Sequence, residues 1–64
     1  MARFELRLAA PPHRRITVVD SDTDPDDAAA CVLLLRRLAS VHHRKPEEVI
    51  LRVPFGRRRH DYHV

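Results

Sequence analysis

The chain has little of several things that small proteins use to stay folded. It has one cysteine, one glycine, no tryptophan and only 5% aromatic residues among its 64. A single cysteine, Cys31, excludes any disulfide within the chain, and its apolar surroundings suit a reduced core residue and a cytoplasmic setting. A single glycine, Gly56, excludes a glycine-rich phosphate-cradling loop, so the turns must be built from Pro, Asp and His. No apolar run approaches the ~20 residues of a membrane span, and Met1-Ala2-Arg3-Phe4-Glu5 lacks the apolar stretch of a signal peptide. The length allows one small domain, of a size at which a single core rarely supplies more than ~3 to 5 kcal/mol. Without disulfides, such a domain leans on a metal, a second copy or its own marginal core. A separate substrate pocket is not expected, and no catalytic residue, metal ligand or cofactor is assigned.

What is present is patterned. Arg3 to Leu8 alternates, with Phe4, Leu6 and Leu8 on one side and Arg3, Glu5 and Arg7 on the other. This period of two predicts a half-buried strand. Pro11 and Pro12 interrupt pairing because neither offers a backbone donor. Arg15 to Asp20, rich in β-branched residues, predicts a second strand that closes a hairpin, with Ile16 and Val18 expected on the Phe4 face.

Asp24-Pro25-Asp26-Asp27 predicts a helix start, with Asp24 as N-cap, Pro25 at the first helical position and acids in the first turn. The helix should run from Pro25 to Val41 or His43. Ala28, Cys31, Leu34, Leu35, Leu38 and Val41 form its apolar stripe, and Leu33 falls off it. Leu33 is therefore a candidate interface residue and points to a homo-oligomer. Pro46-Glu47-Glu48 can make one helical turn, and Val49 to Val53 predicts a third strand stopped by Pro54. Residues 1–56 are thus expected to form one α+β domain, a β-β-α-β unit of hairpin, long helix on the sheet and returning strand. Residues 57–64 are expected to form a mobile basic tail.

This order is similar to the first two-thirds of a ubiquitin-like β-grasp domain. The matching parts are the hairpin Phe4–Asp20, Asp22-Thr23 leading into the helix, and Pro46 before Ile50–Val53. The resemblance implies that the third strand pairs in parallel with the first. The final strand of that fold has a counterpart only if Tyr62-His63-Val64 begins one, and no C-terminal glycine pair exists. Asp22-Thr23-Asp24-Pro25-Asp26-Asp27-Ala28 also resembles an acidic run of nucleoside hydrolases, but lacks that family's intervening Gly-x pair. It is read here as a strand-to-helix cap. Asp20, Asp22, Asp24 and Asp26 follow the early spacing of a calcium loop, yet Pro25 and Cys31 stand where its glycine and glutamate belong.

Charge gives the functional expectation. The net charge is +3, from 12 Lys+Arg and 9 Asp+Glu. Five Asp crowd into residues 20–27, and the remainder of the chain is strongly basic. All the basic residues but Lys45 are arginines, which suit phosphate forks, although GC-rich coding yields the same bias. Arg3, Arg7 and Arg15 border the outer hairpin face, and Arg57, Arg58 and Arg59 form a triple. Together they make a candidate nucleic-acid surface. Aromatic residues are too few for a stacking platform, with only Phe55 and Tyr62 available. The expected function is a small non-enzymatic binding or regulatory protein that contacts nucleic acid. The alternative is a protein-interaction module acting through a sheet edge or helix face.

Overall fold

The computed structural model describes residues 1–53 and 59–64. The elements are β1 (Ala2–Leu8), β2 (Arg15–Ser21), α1 (Ala28–Val41), a 3-10 turn (Pro46–Glu48), β3 (Val49–Val53) and β4 (His60–Tyr62). They form a four-stranded sheet in the order β2-β1-β3-β4, with every neighbouring pair antiparallel. The helix covers one face. The α+β architecture and the β-β-α-β order are as the sequence pattern predicts, with one strand added.

Length explains the path. A 14-residue helix rises ~21 Å and a seven-residue strand spans ~23 Å, so α1 carries the chain back along the whole sheet. The chain then re-enters at the hairpin end, where the Ala9 amide donates to Glu48 O at 2.8 Å. β3 therefore runs opposite to β1, pairing Leu8 with Val49 and Leu6 with Leu51. This corrects the parallel β1–β3 pairing that a β-grasp resemblance implies. β2 and β3 do run parallel to each other, as a crossover requires, but β1 lies between them. The supposed tail is also corrected in part, because His60–Tyr62 pairs with Leu51–Val53 as β4. Residues 57 and 58 of that tail lie outside the described residues.

The hairpin register differs from the expected one. Phe4 faces Val19, Leu6 faces Thr17 and Glu5 faces Val18, with a bulge before Arg7 pairs with Arg15. Partners in a ladder share a face. Thr17 and Val19 are thus on the helix side, and Val18 is on the outer side. Ile16, the extra residue at the bulge, still packs against the core. One inserted residue flips parity along the strand and puts Val18 on the face opposite the one that strict alternation predicts.

Phe4, Leu6, Cys31, Leu35, Ala39, Val49, Leu51 and Val53 form the core. The helix contributes a row at i, i+4 and i+8, namely Cys31, Leu35 and Ala39. The expected stripe is therefore too broad, since Ala28 and Val41 are exposed. The helix start is corrected too. Asp27, not Asp24, is the N-cap and accepts from the Ala30 amide at 3.1 Å. The Asp24 carboxylate is already used by the Asp26 amide at 2.9 Å, within a turn closed by Asp27 N–H to Asp24 O at 3.0 Å. Pro25 sits in that turn, which holds it and Asp26 outside the helix.

Candidate nucleic-acid interface

Among the described residues no helix covers the outer face of the sheet, and its charges are arranged in alternation. Glu5 lies between Arg7 and Arg52, and Asp61 lies beyond Arg52. The Arg7 guanidinium meets Glu5 at 2.6 Å and donates to His13 O at 2.9 Å. Arg52 is only 8% exposed and grips Asp61 with two bonds, at 2.8 and 3.2 Å. This hydrogen bonding holds the Asp61 carboxyl below its usual range against the opposing effect of burial; the charges of Arg52, Arg59 and His13 add to the lowering. The same bond raises the Arg52 guanidinium further. Arg52 was missed by the sequence reading because its place in a short apolar run gave no sign of a partner in the C-terminal residues.

The candidate arginines fare unequally. Arg3 lies beside Asp20 at 3.4 Å in an exposed pair. Arg7 is committed to Glu5 and the hairpin loop. Arg15 is exposed, opposite Arg7. Like charges facing each other across strands repel, and here Glu5 offsets the repulsion. Arg59 is exposed near Asp61. Arg57 and Arg58 lie outside the described residues. Among the described residues, Arg3, Arg7, Arg15 and Arg59 are not gathered into one surface. Arg3 is at the Ala2 end of β1, Arg15 is at the hairpin end, and Arg59 precedes β4.

A different set comes together instead. Leu8 N–H donates to Arg14 O at 2.9 Å, Ala9 N–H to Glu48 O, and Glu48 N–H to Lys45 O at 2.9 Å. The Glu48 carboxylate sits 3.8 Å from Arg44. These links bring Arg14, Arg15, Arg44 and Lys45, all exposed, to the hairpin end of the sheet. Arg36 and Arg37 are exposed on the C-terminal half of α1, which points to the same end. Arg14 and the adjacent Arg44 and Lys45 were missed as neighbours because the two groups are far apart in sequence. Helix direction was the available signal, since a crossover helix must end where the next strand begins.

The opposite end is acidic. Asp20, Asp22, Asp24, Asp26 and Asp27 run from the end of β2 into the start of α1. Ser21 and Thr23 hydroxyls are 2.8 Å apart, and the Thr23 amide donates to Ser21 Oγ at 3.1 Å, shaping this loop. Among the described residues, no cluster of three or more His, Cys, Asp and Glu side chains is arranged to hold a metal ion. Cys31 is fully buried, and its thiol points at Asp24 O and Pro25 O, at 3.4 and 3.7 Å. Burial pushes the thiol up, the adjacent Tyr62 hydroxyl opposes this, and the charges of Asp27, Asp24 and Asp26 push it further up. The Tyr62 hydroxyl donates to Pro25 O and ties β4 to the acidic loop, and burial raises the phenol. Tyr62 is thereby engaged in the fold rather than offered as a stacking surface. Phe55, the other aromatic considered for stacking, lies outside the described residues.

No protein-family model, no curated protein and no solved structure matches this chain. No helix among the described residues is long and apolar enough to cross a membrane.

Proposed function

We propose that this protein is a small, non-enzymatic, cytoplasmic binding module whose basic end contacts the phosphate backbone of nucleic acid. The observation that carries the reading is the segregation of charge along the sheet. Arg14, Arg15, Arg44 and Lys45 crowd one end, and the Asp run occupies the other. A bipolar field of this kind orients the molecule as it approaches a polyanion. In this reading a chain of net charge only +3 concentrates positive charge at one end, where Glu47 and Glu48 offset part of it. Backbone contact rather than base reading fits the scarcity of free aromatics, since Phe4 is in the core and Tyr62 holds the acidic loop. Arg57, Arg58 and Arg59 belong to the reading through their sequence alone.

The test is fluorescence anisotropy with a labelled random duplex and a random single strand across a salt series. Each phosphate contact contributes about 0.9 to the slope of log K against log salt on duplex DNA. Replacing Arg14, Arg15, Arg44 and Lys45 together with alanine should lower that slope by roughly 2 to 4. Arg3→Ala, at the acidic end, should leave it unchanged. A slope unaffected by the fourfold substitution, or no binding at low salt, would overturn the reading. A protein-interaction role is the second reading, and the open edge of β2 favours it.

A further inference from the structure

β2 is an edge strand that carries a bulge at Ile16 but few of the other features that keep edges unpaired. It is seven residues long, whereas β4 at the other edge has three. Among the described residues nothing pairs with its outer side. It contains no proline and no lysine, and Thr17-Val18-Val19 is a β-branched run. The helix packs across β1, β3 and β4 rather than over β2. In consequence β2 has no fully buried residue. Ile16, Thr17 and Val19 are only partly covered on the helix side, and Val18 is 39% exposed on the outer side. Both faces of this strand have apolar surface left to bury.

Charge identifies the occupant. β2 is preceded by Arg14 and begins with Arg15; it reaches Asp20 near its end and is followed by Asp22. A second β2 laid parallel would set arginine against arginine and aspartate against aspartate. Laid antiparallel, the same strand is its own complement. We propose that a second copy of this chain pairs antiparallel along β2, about a two-fold axis perpendicular to the sheet. Face parity requires a residue on the axis, and Val18, exposed and central in the strand, is that residue. With Val18 on the axis, Thr17 opposes the partner's Val19, and both are on the helix side. Arg15 then lies one residue from the partner's Asp20. The result is one continuous sheet of two copies, with both helices on the same face. The contact is isologous and closed, so it stops at a dimer. Arg15 serves both this contact and the phosphate surface, whereas Val18 serves this contact alone.

The test is sedimentation equilibrium over a concentration series. The mass of the unaltered protein should rise from 7.4 kDa toward twice that value, since a single strand pair is a small, concentration-dependent interface. Val18→Lys places two ammonium groups across the axis. It should hold the protein at the protomer mass at every concentration, with an unchanged circular dichroism spectrum and urea midpoint. Arg15→Asp and Asp20→Arg should each weaken association, and the double reversal should restore it. A protomer mass for the unaltered protein throughout the series would overturn the proposal. So would a dimer that survives Val18→Lys, because that contact would lie elsewhere, such as at Leu33, which is 58% exposed on the helix.

Discussion

His43 closes α1 in the left-handed region, at φ 56°, where glycine usually stands. The ending is a two-bond cap. The His43 amide donates to Ser40 O at 3.1 Å, and the Arg44 amide donates to Ala39 O at 2.8 Å. A side chain in this conformation costs about 1 to 2 kcal/mol, somewhat less for the residue types that tolerate it. Glycine removes that cost but loses more backbone freedom on folding, which returns about 0.5 to 1 kcal/mol. His43→Gly should therefore stabilise the fold by about 0.5 to 1 kcal/mol, or roughly 2 to 8 °C in Tm for a domain of this size. Two controls sharpen the comparison. His42, at φ −95° and ψ 13°, is not left-handed, so His42→Gly should destabilise. His13 has φ 60°, but its ring Nδ1 donates to Leu8 O at 3.1 Å, so His13→Gly should gain less than His43→Gly. The assay is thermal unfolding by circular dichroism, repeated in urea. If His43→Gly unfolds at or below the temperature of the unaltered protein, the cap energetics argued here are refuted.

Asp61 and Cys31 carry two further predictions. Asp61 is held below its usual carboxyl range by Arg52, so its contribution is fully present above the unfolded value near pH 4 and is lost as pH falls through the lower folded value. Asp61→Asn should accordingly cost about 1 to 3 kcal/mol at neutral pH, and the difference from the unaltered protein should shrink in acid; a pH-independent difference in urea midpoint would contradict the pairing. Cys31 is buried and its thiol is pushed up, so a disulfide exchange reagent should not label it in the native protein at mildly alkaline pH. Labelling should become complete in urea, and rapid native labelling would show that the site opens.

Local chemistry placed most of the elements. Alternation in Arg3–Leu8, the β-branched run after Pro12, the apolar spacing after Asp27 and the bracketed Val49–Val53 are each short-range signals, and each element forms where its signal lies. Leu33 was also visible as off the buried face, since helical spacing alone sets that angle. Capping was only half legible. Asp24 and Asp27 offer the same chemistry, and the choice fell to Asp27 once the Asp24 carboxylate was used within the preceding turn. Three decisions were non-local. A bulge at Ile16 set which side Val18 occupies, through pairing with β1. The helix length against the sheet set β3 antiparallel to β1 and not parallel. The Arg52–Asp61 pair required β4 to return beside β3, a step that no short-range period in the C-terminal residues announced.

The candidate site divides in the same way. Composition by itself determined that acidic residues cluster between β2 and α1 and that the rest of the chain is basic. Only the tertiary structure decided which arginines stand together. It paired Arg3 with Asp20 and Arg7 with Glu5, and it brought Arg14, Arg15, Arg44 and Lys45 to one end. The physical reason is that charge count is a property of the chain, whereas a surface is a property of which chain ends the sheet and helix bring into register.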